Sequence, residues 1–416
     1  MHPKIVPGDT AWLLFSAALV MLMTPALGFF YGGLVRRKNV LSTIMHSFFI
    51  LCLISVQWVA WGYTLAFGPD VHGWGIIGNL SWLGLNHVGL APNPDYGSTV
   101  PQLAFVAFQM MFAVITPALI TGAFAERKRF KAFVIFTLLW ATFVYDPVAH
   151  WVWGHGGWLS RLGTLDFAGG TVVEIASGVS ALVAAMVLGP RIEFERGEGD
   201  PTEPYNAAMT ILGAGLLWFG WFGFNAGSAI TSGGLAANAF VATNTAGAMA
   251  ALTWMTISWM HRGTPSVLGA TVGAIAGLVA ITPAAGYVGV SASVLIGMGA
   301  ALACYLCVHF IRRSDVDDVL DVFAIHGVGG VWGMLATGLF ATLAINPAAA
   351  NGLLYGNVHQ FAIQALAVAV TFVYCGVMTF VVLKVVNAFV PLRVSEQEEA
   401  MGLDATQHRE VVASAP

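Results

Sequence analysis

The sequence predicts an all-α membrane protein with eleven transmembrane helices, and its composition and its long apolar stretches both lead to this prediction. Hydrophobic residues make up 57% of the chain and charged residues 9%, whereas a soluble domain carries about 25% charged residues. Most of the surface must therefore face lipid. Apolar stretches of about 20 residues, the length that crosses a bilayer, occur at 10–35, 39–67, 101–125, 130–153, 167–189, 206–227, 234–260, 265–284, 287–311, 322–345 and 358–389.

The basic residues give an independent test of this count, because cytoplasmic loops carry an excess of Lys and Arg. With the N-terminus outside, 15 of the 17 basic residues fall on the cytoplasmic side, and only Lys4 and Arg161 lie opposite. A miscounted span would destroy this alternation. The predicted topology is N-out and C-in. The first span ends at Arg36 and lacks the basic segment that precedes a cleavable signal, so we expect it to be retained.

Eleven spans divide into two groups of five and one final helix. An odd number of helices per half forces the second half to insert upside down, so 10–189 and 206–345 are predicted to be inverted repeats. The last helix, 358–389, completes a transmembrane domain of residues 1–389, and 390–416 form a cytoplasmic tail. The fifth span opens at Asp166 and carries Glu174, and the tenth opens at Asp321 and carries His326. These residues are expected to meet near the midplane.

Ionisable residues at membrane depth are functional candidates, because burying them in lipid is costly. Asp166 precedes a helix and is predicted to cap it, to set the field at the outer mouth, or both. Glu174 and His326 lie one to two turns inside their helices, and a pore role is favoured over simple helix–helix bonding. Glu126 is predicted to cap a helix or form an ion pair. The remaining candidates are expected to lie near helix ends or to serve in packing: His46, Asp146, His150, His309 and His359.

Aromatic residues form a second group of candidates: Phe108, Phe112, Trp153, Trp221 and Phe224. Such residues usually belong to the membrane-interface belt or to the core, but ring faces also attract small cations. The sequence has no nucleotide-binding fingerprint and no nucleophile triad. Neither an enzyme nor a nucleic-acid partner is therefore expected. The four cysteines have no metal-binding or disulfide spacing, so no metal and no cofactor are expected either.

The chain resembles the Amt/Mep/Rh family of ammonium transporters, most closely its bacterial Amt branch, over roughly residues 9–408. Two motifs, LDFAGGTVV and GWFGFNAGS, are highly specific for this family. The full set is GFFYGGLVRRKNVLS (28–42), FQMMFAVITPALITGAFAER (108–127), AHWVWG (149–154), LDFAGGTVVEIASG (165–178), GWFGFNAGSA (220–229), ITPAAGYVG (281–289), DVFAIHGVGG (321–330) and GLD (402–404).

The resemblance implies a role for each matching residue. Phe108, Phe112, Trp153 and the Ser228 hydroxyl would recruit the cation at an outer site. Phe112 and Phe224 would form a gate below that site. The other matches are an acid near the mouth, Asp166; a pore-lining tryptophan, Trp221; and the second of two pore histidines, His326.

Glu174 departs from the family pattern, which usually has a histidine at this position, although some fungal members have a glutamate. A Glu–His pair can share a proton or form an ion pair, and its two groups titrate together. His155 is a second departure, because it lengthens the segment after Trp153 by one residue.

The expected mechanism follows from the chemistry of ammonium, which resembles potassium in size and charge but can give up a proton. The outer site would capture the cation, the gate would pass neutral ammonia, and Glu174 and His326 would relay the proton. Two alternatives remain open: passive conduction of ammonia gas, as in Rh-type members, and ammonium sensing.

The resemblance also implies an assembly and a location. These are a homotrimer in the inner (plasma) membrane with one pore per subunit, and a PII signalling protein that blocks the cytoplasmic exits. The tail, which contains GLD, is expected to be ordered and to pack on the cytoplasmic face.

Overall fold

A computed structural model describes residues 4–195 and 204–410, and these residues are organised as a bundle of long helices. Ten helices in the described ranges are long and apolar enough to cross a membrane. An eleventh apolar helix is shorter. In chain order they are α1 (Pro7–Leu34), α2 (Arg37–Phe67), α3 (Gln102–Phe124), α4 (130–153), α5 (Gly170–Leu188), α6 (Ala207–Gly227), α7 (Gly234–Arg262), α8 (Val267–Ile281), α9 (Val290–Ile311), α10 (Phe323–Phe340) and α11 (Val358–Phe389).

The eighth and tenth predicted spans differ most from the observed helices. The eighth was expected at 265–284, but α8 has 15 residues, because Pro283 follows it and cannot continue a helix. The tenth was expected to reach residue 345, but α10 ends at Phe340 and Ala341 leaves the helical conformation. The Ala341 carbonyl instead accepts a hydrogen bond from the Gly352 N–H, at 2.7 Å. The described chain therefore has ten helices of spanning length and one of 15 residues.

The helices of the two halves pack in corresponding ways. Helix α1 packs along α6, and α5 packs against α10. Within the first half α1 contacts α2 and α3, and within the second half α6 contacts α7 and α8. Two similar halves would produce this pattern, and their inverted relation stays a prediction.

Helices α5 and α10 cross closely, because glycines meet at their contact. A Cβ atom on Gly178 would lie 2.1 Å from the Gly327 nitrogen, so no larger residue fits without separating the helices. Both helices begin with a π-helical turn, at Gly170–Ile175 and Phe323–Val328. Such turns widen a helix locally and are frequent at functional sites. Each of the two turns contains one of the predicted pore residues, Glu174 or His326.

One end of the bundle, here called the tail face, carries the connections at 35–39, 125–129 and 312–321 together with residues 390–410. The opposite end, where α1 begins, is called the N-terminal face. Residues 390–410 of the tail pack on this face, as the sequence predicted. Leu392 and Val394 exchange backbone hydrogen bonds with Arg129 and Arg127. The Asp404 carboxylate, in the GLD element, accepts the N–H groups of Leu41 and Ser42 at 3.0 and 2.7 Å.

Buried charges on the tail face form an ion-pair network. Arg191 contacts Glu126 at 2.6 Å and Asp317 at 2.8 Å, which confirms the ion-pair role predicted for Glu126. Burial alone would raise the pKa of Glu126, but the charges of Arg191 and Arg36 outweigh it and hold that pKa below its ordinary value. The network therefore keeps its carboxylates ionised.

Candidate functional site

Asp166 organises the start of α5 on the N-terminal face. Its carboxylate accepts the N–H groups of Gly169, Gly170 and Thr171 at 2.8, 2.6 and 2.7 Å, and also the Thr171 hydroxyl. These bonds satisfy N–H groups that a helix start leaves unpaired, so the predicted capping role is confirmed. Both carboxylate oxygens of Asp166 are engaged in these bonds within the protein.

Three of the predicted recruitment residues form a contiguous aromatic cluster. The rings of Phe108 and Phe112 are 4.9 Å apart, and those of Phe112 and Trp153 are 5.8 Å apart at 87°. Trp153 is the last residue of α4, and its indole N–H donates to the Asp166 carbonyl at 2.9 Å. The aromatic cluster is thus attached to the capped start of α5.

Ser228 lies at the end of α6, next to Gly227. A Cβ atom on Gly227 would lie 2.8 Å from the Phe108 ring. Its hydroxyl donates to the Phe224 carbonyl at 2.9 Å. The hydroxyl proton is therefore used, and the oxygen lone pairs stay available to accept from a cation.

Phe112 and Phe224 close the passage below this cluster. Their ring centroids are 4.3 Å apart at 39°, and both side chains are buried. Phe224 also contacts Trp221, with centroids 5.6 Å apart. The two rings lie where the resemblance implies a gate.

A small, mostly apolar cavity follows these rings towards the tail face. The volume open to the centre of a water-sized molecule is about 10 Å³. This is about the volume that a cavity needs to hold one such molecule. Trp221 contributes to its wall and donates its indole N–H to the Thr282 hydroxyl at 2.9 Å. The cavity is lined by Met23, Leu27, Phe30, Ile115, Leu119, Val173, Glu174, Leu217, Trp221, Phe224, Ile275 and His326.

Glu174 and His326 meet in this cavity, as the sequence predicted. The Glu174 Oε2 atom lies 2.7 Å from the His326 Nδ1 atom. Both side chains are buried, with 1% and 5% exposed. The second oxygen, Oε1, has no hydrogen-bond partner within the described part of the chain. One hydrogen bond therefore joins the pair, and Glu174 Oε1 is left without a partner among the described residues.

A wider cavity of about 230 Å³ opens from His326 to the tail face. His326 lines both cavities and so joins the narrow passage to this vestibule. Several charged side chains line the vestibule, among them Arg312 and Asp321, which form an ion pair at 2.7 Å. The wall is thus mostly apolar above His326 and rich in charges beyond it.

Several residues of this region were missed by reasoning from sequence. Thr171 adds a hydroxyl to the Asp166 cap, and Thr282 fixes Trp221. The GGT segment after Asp166 gave a usable signal for Thr171, but Thr282 is 61 residues from Trp221 and gave none. No cluster of three or more His, Cys, Asp or Glu residues suited to a metal ion occurs in ranges 4–195 and 204–410.

Comparison with known proteins identifies the family. The family model described as Ammonium Transporter Family matches residues 11–413. The chain belongs to this family. It is 53% identical to the ammonium transporter of Bacillus subtilis over 404 residues, covering 97% of this chain and 98% of that protein. It is therefore a multi-pass membrane protein of a transporter family, not an enzyme.

Solved structures of this family share the fold. Saccharomyces cerevisiae Mep2 superposes with a TM-score of 0.89 at 35% identity, covering 95% of this chain and 89% of that one. A sensor Amt protein superposes with a TM-score of 0.88 at 30% identity, covering 96% and 98% of the two chains.

Proposed function

We propose that the protein transports ammonium across the cytoplasmic membrane by separating it into ammonia and a proton. The observation that supports this most directly is the buried Glu174–His326 pair below the contact between Phe112 and Phe224. A cation as large as potassium would lose its hydration in this apolar passage at high cost. Ammonium avoids that cost by releasing a proton, and potassium has none to release.

Recruitment takes place at Phe108, Phe112, Trp153 and Ser228. The ring faces attract the cation, and the Ser228 oxygen accepts one of its N–H groups. Asp166 supports this site, because its backbone carbonyl accepts the indole N–H of Trp153. These contacts hold ammonium where its proton can be removed.

Neutral ammonia then passes Phe112 and Phe224 and enters the narrow cavity lined by Trp221. The proton travels separately through Glu174 and His326, which already share one across 2.7 Å. His326 releases it to the vestibule. In the predicted N-out, C-in topology the vestibule is cytoplasmic, so both products arrive inside the cell.

The test is ammonium-driven current in liposomes for Glu174→Ala and His326→Ala. A relay of this kind contributes about 100-fold or more in rate, so current should fall by that order in both variants. Undiminished, ammonium-selective current in both would contradict the relay. Ammonia uptake without charge movement in the unmodified protein would instead support the alternative of a passive gas channel.

Sensing is the second candidate function, because a sensor Amt protein shares 30% identity and the same fold. A homotrimer and binding of a PII signalling protein at the tail face complete the proposal. Light scattering of the purified protein and pull-down with PII test these two parts. A monomer in mild detergent would contradict the trimer.

A further inference from the structure

His150 is buried in α4, one turn before Trp153, and both of its ring nitrogens face oxygen atoms. Nδ1 lies 3.0 Å from the Ala66 carbonyl oxygen, and Nε2 lies 3.0 Å from Asp70 Oδ1. A carbonyl and an ionised carboxylate only accept hydrogen bonds, and a neutral imidazole has a single N–H to donate. Both contacts are hydrogen bonds only if the pair holds one extra proton.

The bonds of Asp70 indicate where that proton resides. Its Oδ1 atom also accepts the Gly75 N–H at 2.8 Å, so this oxygen already acts as an acceptor. The consistent assignment is an imidazolium on His150 beside a carboxylate on Asp70. Together they are neutral, which is the form in which two charges are tolerated in a buried site. Loss of the proton would leave an uncompensated carboxylate and one contact unmade.

The His150 side chain lies directly under the turn that follows Trp153. Helix α4 ends at Gly154, whose N–H donates to the carbonyls of Ala149 and His150. A Cβ on Gly154 would be 2.7 Å from His150 Nδ1 and 2.8 Å from the Ala66 oxygen. The chain therefore leaves the helix in contact with the His150–Ala66 bond, and Trp153 is the last residue before this exit.

The segment that carries Asp70 is attached to the same end of α4. The Trp151 indole N–H donates to the Ile76 carbonyl at 2.9 Å, and the Gly78 N–H donates to the Leu65 carbonyl at 2.7 Å. Asp70 thus belongs to a turn, residues 70–78, that is hydrogen-bonded to both α2 and α4. A change in the Asp70–His150 bond is transmitted to the end of α4.

We propose that Asp70 and His150 form a proton-holding pair that positions Trp153 for cation recruitment. This inference rests on the recruitment role given to Trp153 in the proposed function. His150 and Asp70 are positioning residues, because neither belongs to the aromatic cluster. When the Asp70–His150 bond is broken, the end of α4 loosens, Trp153 moves from its place and the affinity for ammonium falls.

Three other titratable groups on the elements that pack around His150 have partners of their own, whereas the Tyr145 hydroxyl, on α4, has none among the described residues. Asp146, on α4, accepts from Gln57, and Tyr63, on α2, accepts from Gln102. Arg161, on the short helix Trp158–Leu162, donates to the Gly73 carbonyl. The charge that contacts His150 is therefore that of Asp70.

The test is ammonium current against concentration for Asp70→Asn in full-length protein in liposomes. Asparagine keeps the shape and the bond to Gly75, but it removes the carboxylate charge that bonds His150. A lost charged hydrogen bond corresponds to roughly a tenfold effect, so the apparent KM should rise about tenfold. The maximal current should stay within about twofold, as expected for an effect on binding alone.

Asp95→Asn is the matched control, because Asp95 and His155 form a second Asp–His contact on the same face, at 3.5 Å and largely exposed. Its affinity should match that of the unmodified protein. An unchanged apparent KM in Asp70→Asn would overturn the proposal.

The variant Trp153→Leu distinguishes a failure of the proposed recruitment site from a failure of the proposed positioning pair. If it leaves affinity unchanged, the recruitment site itself is wrong. If it weakens affinity but Asp70→Asn does not, only the positioning pair is wrong. Should Asp70→Asn fail to assemble, His150→Gln takes its place. Its apparent KM should rise while its maximal current stays within about twofold, and an unchanged KM would overturn the proposal.

Discussion

Two buried groups of ionisable side chains differ in how completely they are paired. In the tail-face network, Arg191 contacts both Glu126 and Asp317, and a further N–H of Arg191 reaches the second Asp317 oxygen at 3.0 Å. In the pore, Glu174 and His326 share one contact, and Glu174 Oε1 is unpartnered among the described residues. Both groups lie inside the protein, yet only the first is saturated with hydrogen bonds.

This difference distinguishes a network that stabilises the structure from a pair that can take up and release a proton. In a saturated network, positive and negative side chains compensate each other, and the protein loses stability when either is removed. A pair with a free acceptor keeps the capacity to take up or release a proton. Partial pairing in a cavity is therefore a functional signal, whereas burial of charge alone is not.

The largest expected effect is the loss of stability in Arg191→Ala. This change leaves Glu126 and Asp317 buried without their main partner, and breaking a buried pair in this way costs about 3–5 kcal/mol. Thermal unfolding in detergent measures the loss. The control is Arg312→Ala, because Arg312 is 46% exposed and pairs with Asp321 at the vestibule. Exposed pairs contribute about 1 kcal/mol or less, so equal destabilisation by both changes would contradict the comparison.

An intermediate effect on stability is expected from Asp318→Asn, because Asp318, unlike its neighbour Asp317, does not bond Arg191. Asp317 bonds Arg191, whereas burial raises the pKa of Asp318 to about 7. An acid whose pKa is raised on folding loses stability as pH increases from its unfolded pKa to its folded one. Asparagine avoids this loss, so the variant should gain stability at pH 8, by at most the roughly 4 kcal/mol that a rise of about three pKa units corresponds to.

The pH profile of that gain distinguishes it from a packing effect. The gain should be absent near pH 4, grow as the pH rises towards 7 and then level off. Unfolding temperatures measured from pH 4 to pH 8 give this profile. A difference that is the same at every pH would show that ionisation of Asp318 is not its cause.

The smallest effect on stability is expected from Glu174→Gln, which replaces the pore carboxylate with an amide of the same shape. The amide can still bond His326, so unfolding should change by less than about 1 kcal/mol. Ammonium current should nevertheless fall, because the amide cannot accept and release a proton. A destabilisation as large as that of Arg191→Ala would remove the distinction between the two groups.

The sequence was sufficient for the parts of the molecule that depend on local pattern. Apolar length located the spanning helices, and the acid before a glycine-rich helix start identified Asp166 as a cap. The matching positions of Glu174 and His326 in spans five and ten indicated that they meet, and they do. Each of these features depends on residues close in the chain, or on a repeat that the chain shows twice.

Features that depend on distant partners could not be predicted. Asp317 lies 126 residues from Arg191, and a list of charges does not tell which of them pair. The π-helical turns of α5 and α10 also have no pattern of their own in the sequence. His150 was assigned a minor role because only the fold shows that both of its nitrogens face acceptors.

The bond between Asp404 and the start of α2 has a consequence for the order of events during synthesis. Asp404 accepts the N–H groups of Leu41 and Ser42, and 362 residues separate Ser42 from it. The first loop is made early, but these N–H groups obtain their carboxylate only after nearly the whole chain has left the ribosome. The tail face is therefore finished last, and a chain that stops before Asp404 lacks the acceptor with which this end of the bundle is completed.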